Sequence, residues 1–188
     1  IFLIASPRNT ADALIQTMRL AGLKPYLVDL APLAVARLAN GTSAVLADIR
    51  PSEVDIVVMV DGIPQFIRSQ TYPGEAQAIQ EKLLIAREEM ERSINFYDSA
   101  HPDKPLDNRL PIYVSGKLVE ETAACQFLAG ELNRSVTPLL SPFKAPADFP
   151  ETQFTVNIGL ALKKIPAGNG SGASSINLNV LPQKYRPK

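Results

Sequence analysis

The chain has 188 residues, of which 46% are hydrophobic and 20% charged, enough apolar surface for one large domain or two small ones. Lys and Arg together number 19, as do Asp and Glu, so the formal net charge is zero and nothing marks a nucleic-acid footprint. No apolar run reaches the roughly 18 residues that span a bilayer, so direct membrane insertion is not expected and any membrane contact goes through a partner.

One cysteine, Cys125, excludes an internal disulfide and fits a reducing compartment. It falls in a helix-like run, Glu120–Leu132, as a packing residue. The one histidine, His101, lies in the polar turn His101-Pro102-Asp103-Lys104-Pro105. One Cys and one His do not make a structural zinc site, which takes four such ligands. The sequence begins at Ile1 in an apolar run, without the positive region of a signal peptide, and reads as a fragment of a longer protein.

In chain order, Ile1–Ala5 reads as a short buried strand. Asn9 or Thr10 caps a helix whose Ala11, Leu14, Ile15, Met18 and Ala21 share a face, and Gly22 ends it. Lys24–Leu30 reads as a strand and Pro32–Leu38 as a helix stopped by Asn40-Gly41. Residues 1–40 thus form part of a small α/β subdomain. A second domain, 44–165, starts with strand Ala44–Asp48, a turn through Arg50-Pro51-Ser52, and strand Val54–Val60. Asp61-Gly62 is a two-residue hairpin signal, and Ile63–Ser69 completes an antiparallel meander. The longest helix, Glu75–Tyr97, buries Ile79, Leu83, Ala86, Met90, Ile94 and Tyr97. Its Glu81, Lys82, Arg87, Glu88, Glu91 and Arg92 face solvent. Strand Leu110–Val114, helix Glu120–Leu132, strand Val136–Leu140 and helix Thr152–Leu162, apart from Gly159, follow.

The end of the chain, 166–188, changes character. Gly168-Asn169-Gly170-Ser171-Gly172 is a linker composition. After it, Ile176, Leu178 and Val180 alternate with Asn177 and Asn179 before Leu181-Pro182, the pattern of an extended strand with one adhesive face. Such a strand either completes the domain's own sheet or docks as a ligand peptide in a groove or on a sheet edge.

The order of elements from Ala44 and a series of short stretches resemble the second half of the actin-like type IV pilus assembly PilM family. The stretches are Ala21-Gly22-Leu23-Lys24-Pro25 with Val28-Asp29-Leu30, Ala34-Val35-Ala36-Arg37, and Val60-Asp61-Gly62-Ile63-Pro64 through Ile67-Arg68-Ser69. Glu91-Arg92-Ser93-Ile94-Asn95-Phe96-Tyr97, Ile112-Tyr113-Val114-Ser115-Gly116 and Ile158-Gly159-Leu160-Ala161-Leu162 complete the set. The resemblance implies an α/β fold: an actin-like, RNase H-like half domain with a mixed five-stranded sheet and flanking helices, preceded by part of a small α/β insert. The tail, Ile176 to Pro182, resembles the start of PilN, the inner-membrane partner of PilM-like proteins. Its joint at Gly168–Gly172 is then either natural or engineered. The implied function is a cytoplasmic scaffold, peripheral to the inner membrane, that docks its partner through Ile176, Asn177, Leu178, Val180, Leu181 and Pro182. Tail exchange would give a homodimer.

In the actin-like fold, nucleotide lies between two halves, and the second-half phosphate turn reads Asp, any residue, Gly, three residues, Thr. Backbone donors approach phosphate only where side chains are absent. Here the turn is Asp48-Ile49-Arg50-Pro51-Ser52-Glu53-Val54. Asp48 matches, Arg50 replaces the glycine, Pro51 removes a donor, and Val54 replaces the threonine. Glu53 adds a charge that would cost about 4 kcal/mol against a phosphate charge ~4 Å away at an effective dielectric near 20, and Arg50 offsets part of it by binding phosphate. The adenosine-side motif keeps one glycine, in Ser115-Gly116-Lys117. Asp48, Arg50, Ser52, Ser115 and Gly116 are therefore the positions of a degenerate nucleotide site. The chain is expected to be no enzyme and to carry no cofactor, with ATP and magnesium conceivable only for the full-length parent. The alternatives are a degenerate actin-like ATPase and a cell-division actin homologue.

Overall fold

The computed structural model describes residues 7–39, 42–74, 78–120, 122–163 and 178–186. They divide into two compact units, 1–30 with 178–188, and 31–177.

The larger unit is built on one five-stranded sheet. Its strands are β1 (Ala44–Ile49), β2 (Glu53–Val60), β3 (Ile63–Thr71), β4 (Ile112–Ser115) and β5 (Val136–Pro138), in the order β3-β2-β1-β4-β5. The meander β1-β2-β3 is antiparallel, while β4 runs parallel to β1 and β5 parallel to β4. Asp61 and Gly62 both take positive φ, 51° and 75°, which is what the two-residue turn between β2 and β3 requires. The mixed sheet expected from the sequence is the one observed.

Alternation along the strands divides the core in two. Val45, Ala47 and Ile49 of β1 and Val54, Ile56 and Val58 of β2 face two helices, α3 (Ile79–Ala100) and α4 (Thr122–Leu132). Ala44, Leu46, Val57 and Met59 face the opposite way, toward α2 (Ala31–Leu38) and α5 (Thr155–Leu162). Helix α2 is buried from Pro32 to Leu38. A helix apolar all round belongs in a core, and α2 accordingly lies in the sheet unit, not in the leading segment to which residues 31–40 are assigned from sequence.

Two further expectations change on α3. Lys82 is buried, donating from Nζ to the Pro51 carbonyl at 2.7 Å, whereas Ile79 is largely exposed. Glu89 is buried as well, neutralised by Arg68 from β3 and by Arg92 at 2.7 Å. A long side chain on a core-facing stripe can bury its stem and carry its charge to a partner at the rim. Cys125 is a buried packing residue, and burial pushes its thiol up. His101 stacks on Tyr97 at the end of α3, its Nδ1 3.0 Å from the Tyr97 carbonyl.

The smaller unit holds α1 (Arg8–Leu20). The helix begins after Pro7 and has no side-chain cap. Asn9 Oδ1 instead accepts from the amide of Thr10. Of the expected apolar face only Ile15 is fully buried. Gly22, at φ +80°, ends the helix, with its amide on the Arg19 carbonyl and the Leu23 amide on that of Met18, the paired bonds of a Schellman motif. Residues 24–30, expected as a strand, form no regular strand. The expected strand Ile1–Ala5 lies outside the described residues.

Candidate functional site

Four side chains stand in register across four adjacent strands. Ser69 on β3 pairs with Asp55 on β2, Asp55 with Asp48 on β1, and Asp48 with Ser115 on β4. By alternation they share the sheet face of Leu46 and Val57, at the end where β1 and β4 finish. Each aspartate accepts a hydroxyl from its outer neighbour. Ser115 Oγ donates to Asp48 Oδ1 at 2.8 Å, and Ser69 Oγ donates to Asp55 Oδ1. Two carboxylates directly opposite on neighbouring strands repel, so a cation is needed between them. Arg50 supplies it. Its Nε lies 3.1 Å from Asp48 Oδ2, an ion pair rather than an aligned hydrogen bond. Its Nη1 is 3.0 Å from Glu53 Oε1, and its Nη2 binds Asp55 Oδ2.

Burial is the dominant force on the two aspartates. Asp48 is 2% exposed and Asp55 is 4% exposed. Desolvation raises both carboxyls above the ordinary aspartate range, outweighing the serine hydrogen bonds and the Arg50 charge that pull the other way. Tyr72 packs beside the cluster with Lys82 Nζ 5.7 Å from its ring centre, and burial pushes its hydroxyl strongly up.

Of the five positions inferred from sequence, Asp48, Arg50 and Ser115 are brought together. Ser52 is exposed in the turn, where its carbonyl accepts from the Tyr72 amide. Gly116 touches the cluster's strand through backbone alone. At φ +96°, a Cβ on it would stand 2.3 Å from the Ile49 carbonyl oxygen, and its amide donates to Thr152 at 2.7 Å. Its lack of a side chain thus serves the approach of two strands. Arg50 is engaged by three carboxylates of the chain itself, those of Asp48, Glu53 and Asp55. The sequence reading misses Asp55, Ser69, Tyr72 and Lys82. The available signal for Asp55 was register, because a hairpin pairing Ile49 with Val54 necessarily sets Asp48 opposite Asp55, whereas Ser69 comes opposite Asp55 only through the register shift between Val58 and Met59.

Among the described residues no group of three or more His, Cys, Asp or Glu side chains is arranged to hold a metal ion. No described helix is long and apolar enough to cross a membrane.

The second candidate site is the tail, in the smaller unit. Asn179 Oδ1 accepts from the amides of Val28 and Leu181, at 3.1 and 3.0 Å, and its Nδ2 donates to the Tyr26 carbonyl at 3.2 Å. The Val180 amide donates to the Val28 carbonyl at 3.0 Å. A side-chain amide thus replaces part of the backbone ladder, which is why residues 24–30 pair with the tail without forming a strand. Leu181 is 1% exposed, Lys184 Nζ pairs with Asp12 at 3.0 Å, and Arg186 donates to the carbonyls of Leu181 and Asn179. Of the residues expected to dock, Leu178, Val180, Leu181 and Pro182 are at least partly buried, while Ile176 and Asn177 lie outside the described residues.

No protein-family model and no curated protein matches the chain. Among solved structures, the PilM-PilN type IV pilus biogenesis complex superposes over 81% of this chain and 56% of its own, with a TM-score of 0.61 and 19% identity. Ethanolamine utilization protein EutJ from Carboxydothermus hydrogenoformans matches over 84% of this chain and 62% of its own, with a TM-score of 0.56 and 19% identity. The fold is actin-like. At these identities the likeness is one of fold, and the chain spans less than two thirds of either structure. Within the actin-like sheet, the row from Ser69 to Ser115 occupies the C-terminal ends of the parallel strands β1 and β4, where open α/β sheets place their ligands.

Proposed function

We propose that the chain is part of an assembly scaffold of the type IV pilus machinery, acting on the cytoplasmic face of the inner membrane, whose first unit receives a short extended peptide. The observation that carries this is the seat of the tail. One asparagine amide reads two backbone groups of residues 26–28, one leucine is fully buried, and an arginine clamps the peptide's own carbonyls. That is recognition of an extended chain through its backbone with one anchoring pocket. The likeness to a complex of PilM with PilN supports a PilN-like, membrane-anchored source for such a peptide. Because a glycine-rich linker composition precedes the docking residues, the same contacts made by a neighbouring chain give a tail-exchanged homodimer.

The reading includes no nucleotide chemistry and no cofactor. Arg50 neutralises the chain's own carboxylates, Pro51 has no amide proton to offer a phosphate, and the Gly116 amide is already given to the Thr152 carbonyl.

A labelled peptide of residues 176–188 tests the docking. It should bind saturably to the whole chain carrying Asn179→Ala and Leu181→Arg, which loosen the resident tail. It should bind the unaltered chain more weakly, since a tethered tail competes at a millimolar effective concentration. A peptide that binds neither chain would sink the proposal. For the nucleotide side, millimolar ATP with magnesium should leave the melting temperature unchanged, whereas ligand binding to the native state would raise it.

A further inference from the structure

The turn that ends α1 carries a surface that the peptide seat does not use. Leu20 is 91% exposed, more than any other large apolar side chain among the described residues, and Leu23, past the turn, is 54% exposed. Gly22, in its left-handed conformation, reverses the chain between them. Alongside runs an open groove lined by Arg19, Leu23, Lys24, Tyr26, Tyr185 and Arg186, with no acidic residue among its described lining. The arginine and lysine charges are not cancelled. The Arg19 guanidinium lies 4.7 Å above the Tyr185 ring, Arg186 donates to main-chain carbonyls, and none of Arg19, Lys24 and Arg186 has a carboxylate partner among the described residues.

Bare leucines beside cations and two tyrosines suit one kind of surface. Leucine gains by leaving water, tyrosine favours the headgroup level with its ring apolar and its hydroxyl wet, and unpaired Arg and Lys gain from a negative surface potential. We propose that this turn is itself a contact for an anionic phospholipid bilayer, in place of the expectation that membrane contact goes only through a partner, with Leu20 and Leu23 entering the headgroup boundary and Arg19, Lys24 and Arg186 meeting lipid phosphates. The charges alone would equally suit an acidic polypeptide, but a chain of acidic residues offers Leu20, 91% exposed, no apolar surface to enter, whereas a bilayer does. The contact rests on the geometry of the α1 turn and stands or falls separately from the pilus reading.

Vesicle co-sedimentation of the whole chain tests it. The chain should pellet with vesicles of phosphatidylglycerol and phosphatidylcholine at low salt, and not with phosphatidylcholine alone. Each basic side chain near the surface contributes roughly fivefold in partitioning. Lys24→Glu should therefore weaken binding at least fivefold, and raising salt to about 0.5 M should weaken it further as the Debye length shrinks. Leu20→Ser with Leu23→Ser should weaken binding at every salt concentration. Both variants change exposed side chains, and an unchanged melting temperature confirms that each is folded. Equal pelleting with neutral and anionic vesicles, or a leucine variant that binds as the parent does, would overturn the proposal. Soluble polyglutamate that displaces the chain from vesicles while the leucine variant is indifferent would assign the surface to an acidic polypeptide and overturn it too.

Discussion

Ser115 and Asp48 face each other across the parallel pair β4 and β1, in direct register, with the serine hydroxyl donating to the buried carboxylate at 2.8 Å. No other described side-chain hydroxyl donates to Asp48. Ser115→Ala should therefore leave a buried acceptor short of a partner and lower stability by about 1–3 kcal/mol. Urea unfolding would register it, and an unchanged midpoint would mean that water replaces the hydroxyl.

Arg50 holds Asp48, Glu53 and Asp55 together. Removing one partner of a buried charge cluster costs about 3–5 kcal/mol, and the partly exposed guanidinium places Arg50→Met at the lower end of that range near pH 7. The loss should shrink at pH 5, where the aspartates take up protons more readily. Denaturant titration of both proteins at the two pH values checks the prediction, which fails if the penalty is the same at each.

The wild-type protein should show its own pH dependence from the same row. Asp48 and Asp55 have folded-state pKa values above the unfolded value of 3.8. In the window from about pH 4 up to the raised values, the folded state binds more protons than the unfolded state. This contribution to stability is therefore present at the acid end and lost as pH rises through the window. Asp48→Asn removes the Asp48 share of it and should flatten the slope of stability against pH. A slope identical to wild type would show that Asp48 titrates normally.

Gly159 of α5 lies directly against the backbone of α2. A Cβ there would stand 1.9 Å from the Ala34 carbonyl oxygen and 2.4 Å from its carbon. Backbone cannot yield as a side chain does, so Gly159→Ala should destabilise by about 3 kcal/mol or more. Gly130, in α4, has nothing within 4 Å of its virtual Cβ. Gly130→Ala should stabilise by roughly 0.5–1 kcal/mol through helix propensity. Opposite shifts in melting temperature from the same chemical change would confirm that space, not helix propensity, decides the first.

Asn179→Ala deletes three hydrogen bonds between the tail and residues 26–28 and within the tail itself. Hydrogen exchange should quicken at the amides of Val28, Val180 and Leu181, with little change in β1 and β2. Exchange that quickens equally throughout would show that the tail is coupled to the sheet unit.

Local signals in the sequence carried much of the sheet unit. Asp61-Gly62 marked the hairpin because few residue pairs tolerate two positive φ values. The long stripe from Leu83 to Tyr97 marked α3 because 3.6-residue periodicity is written along the chain. In the tail, the alternation of Ile176, Leu178 and Val180 with two asparagines marked a candidate docking segment, because a period of two is likewise written along the chain. What the sequence alone could not settle was partnership. Asp48 was visible as the retained acid of a phosphate turn and Arg50 as a departure from it, yet Asp55 and Ser69 joined them only when strand register aligned four chain segments. Lys82 read as a solvent-facing charge until the hairpin turn offered it a carbonyl. Gly159 looked like a flaw in a helix until Ala34 arrived beside it. The sequence determined which segments are helical, extended or turned, since those preferences act within a few residues. Only the tertiary structure decided which charges are neutralised, which glycines are required and what the tail rests on, because those energies depend on distances between groups far apart in the chain.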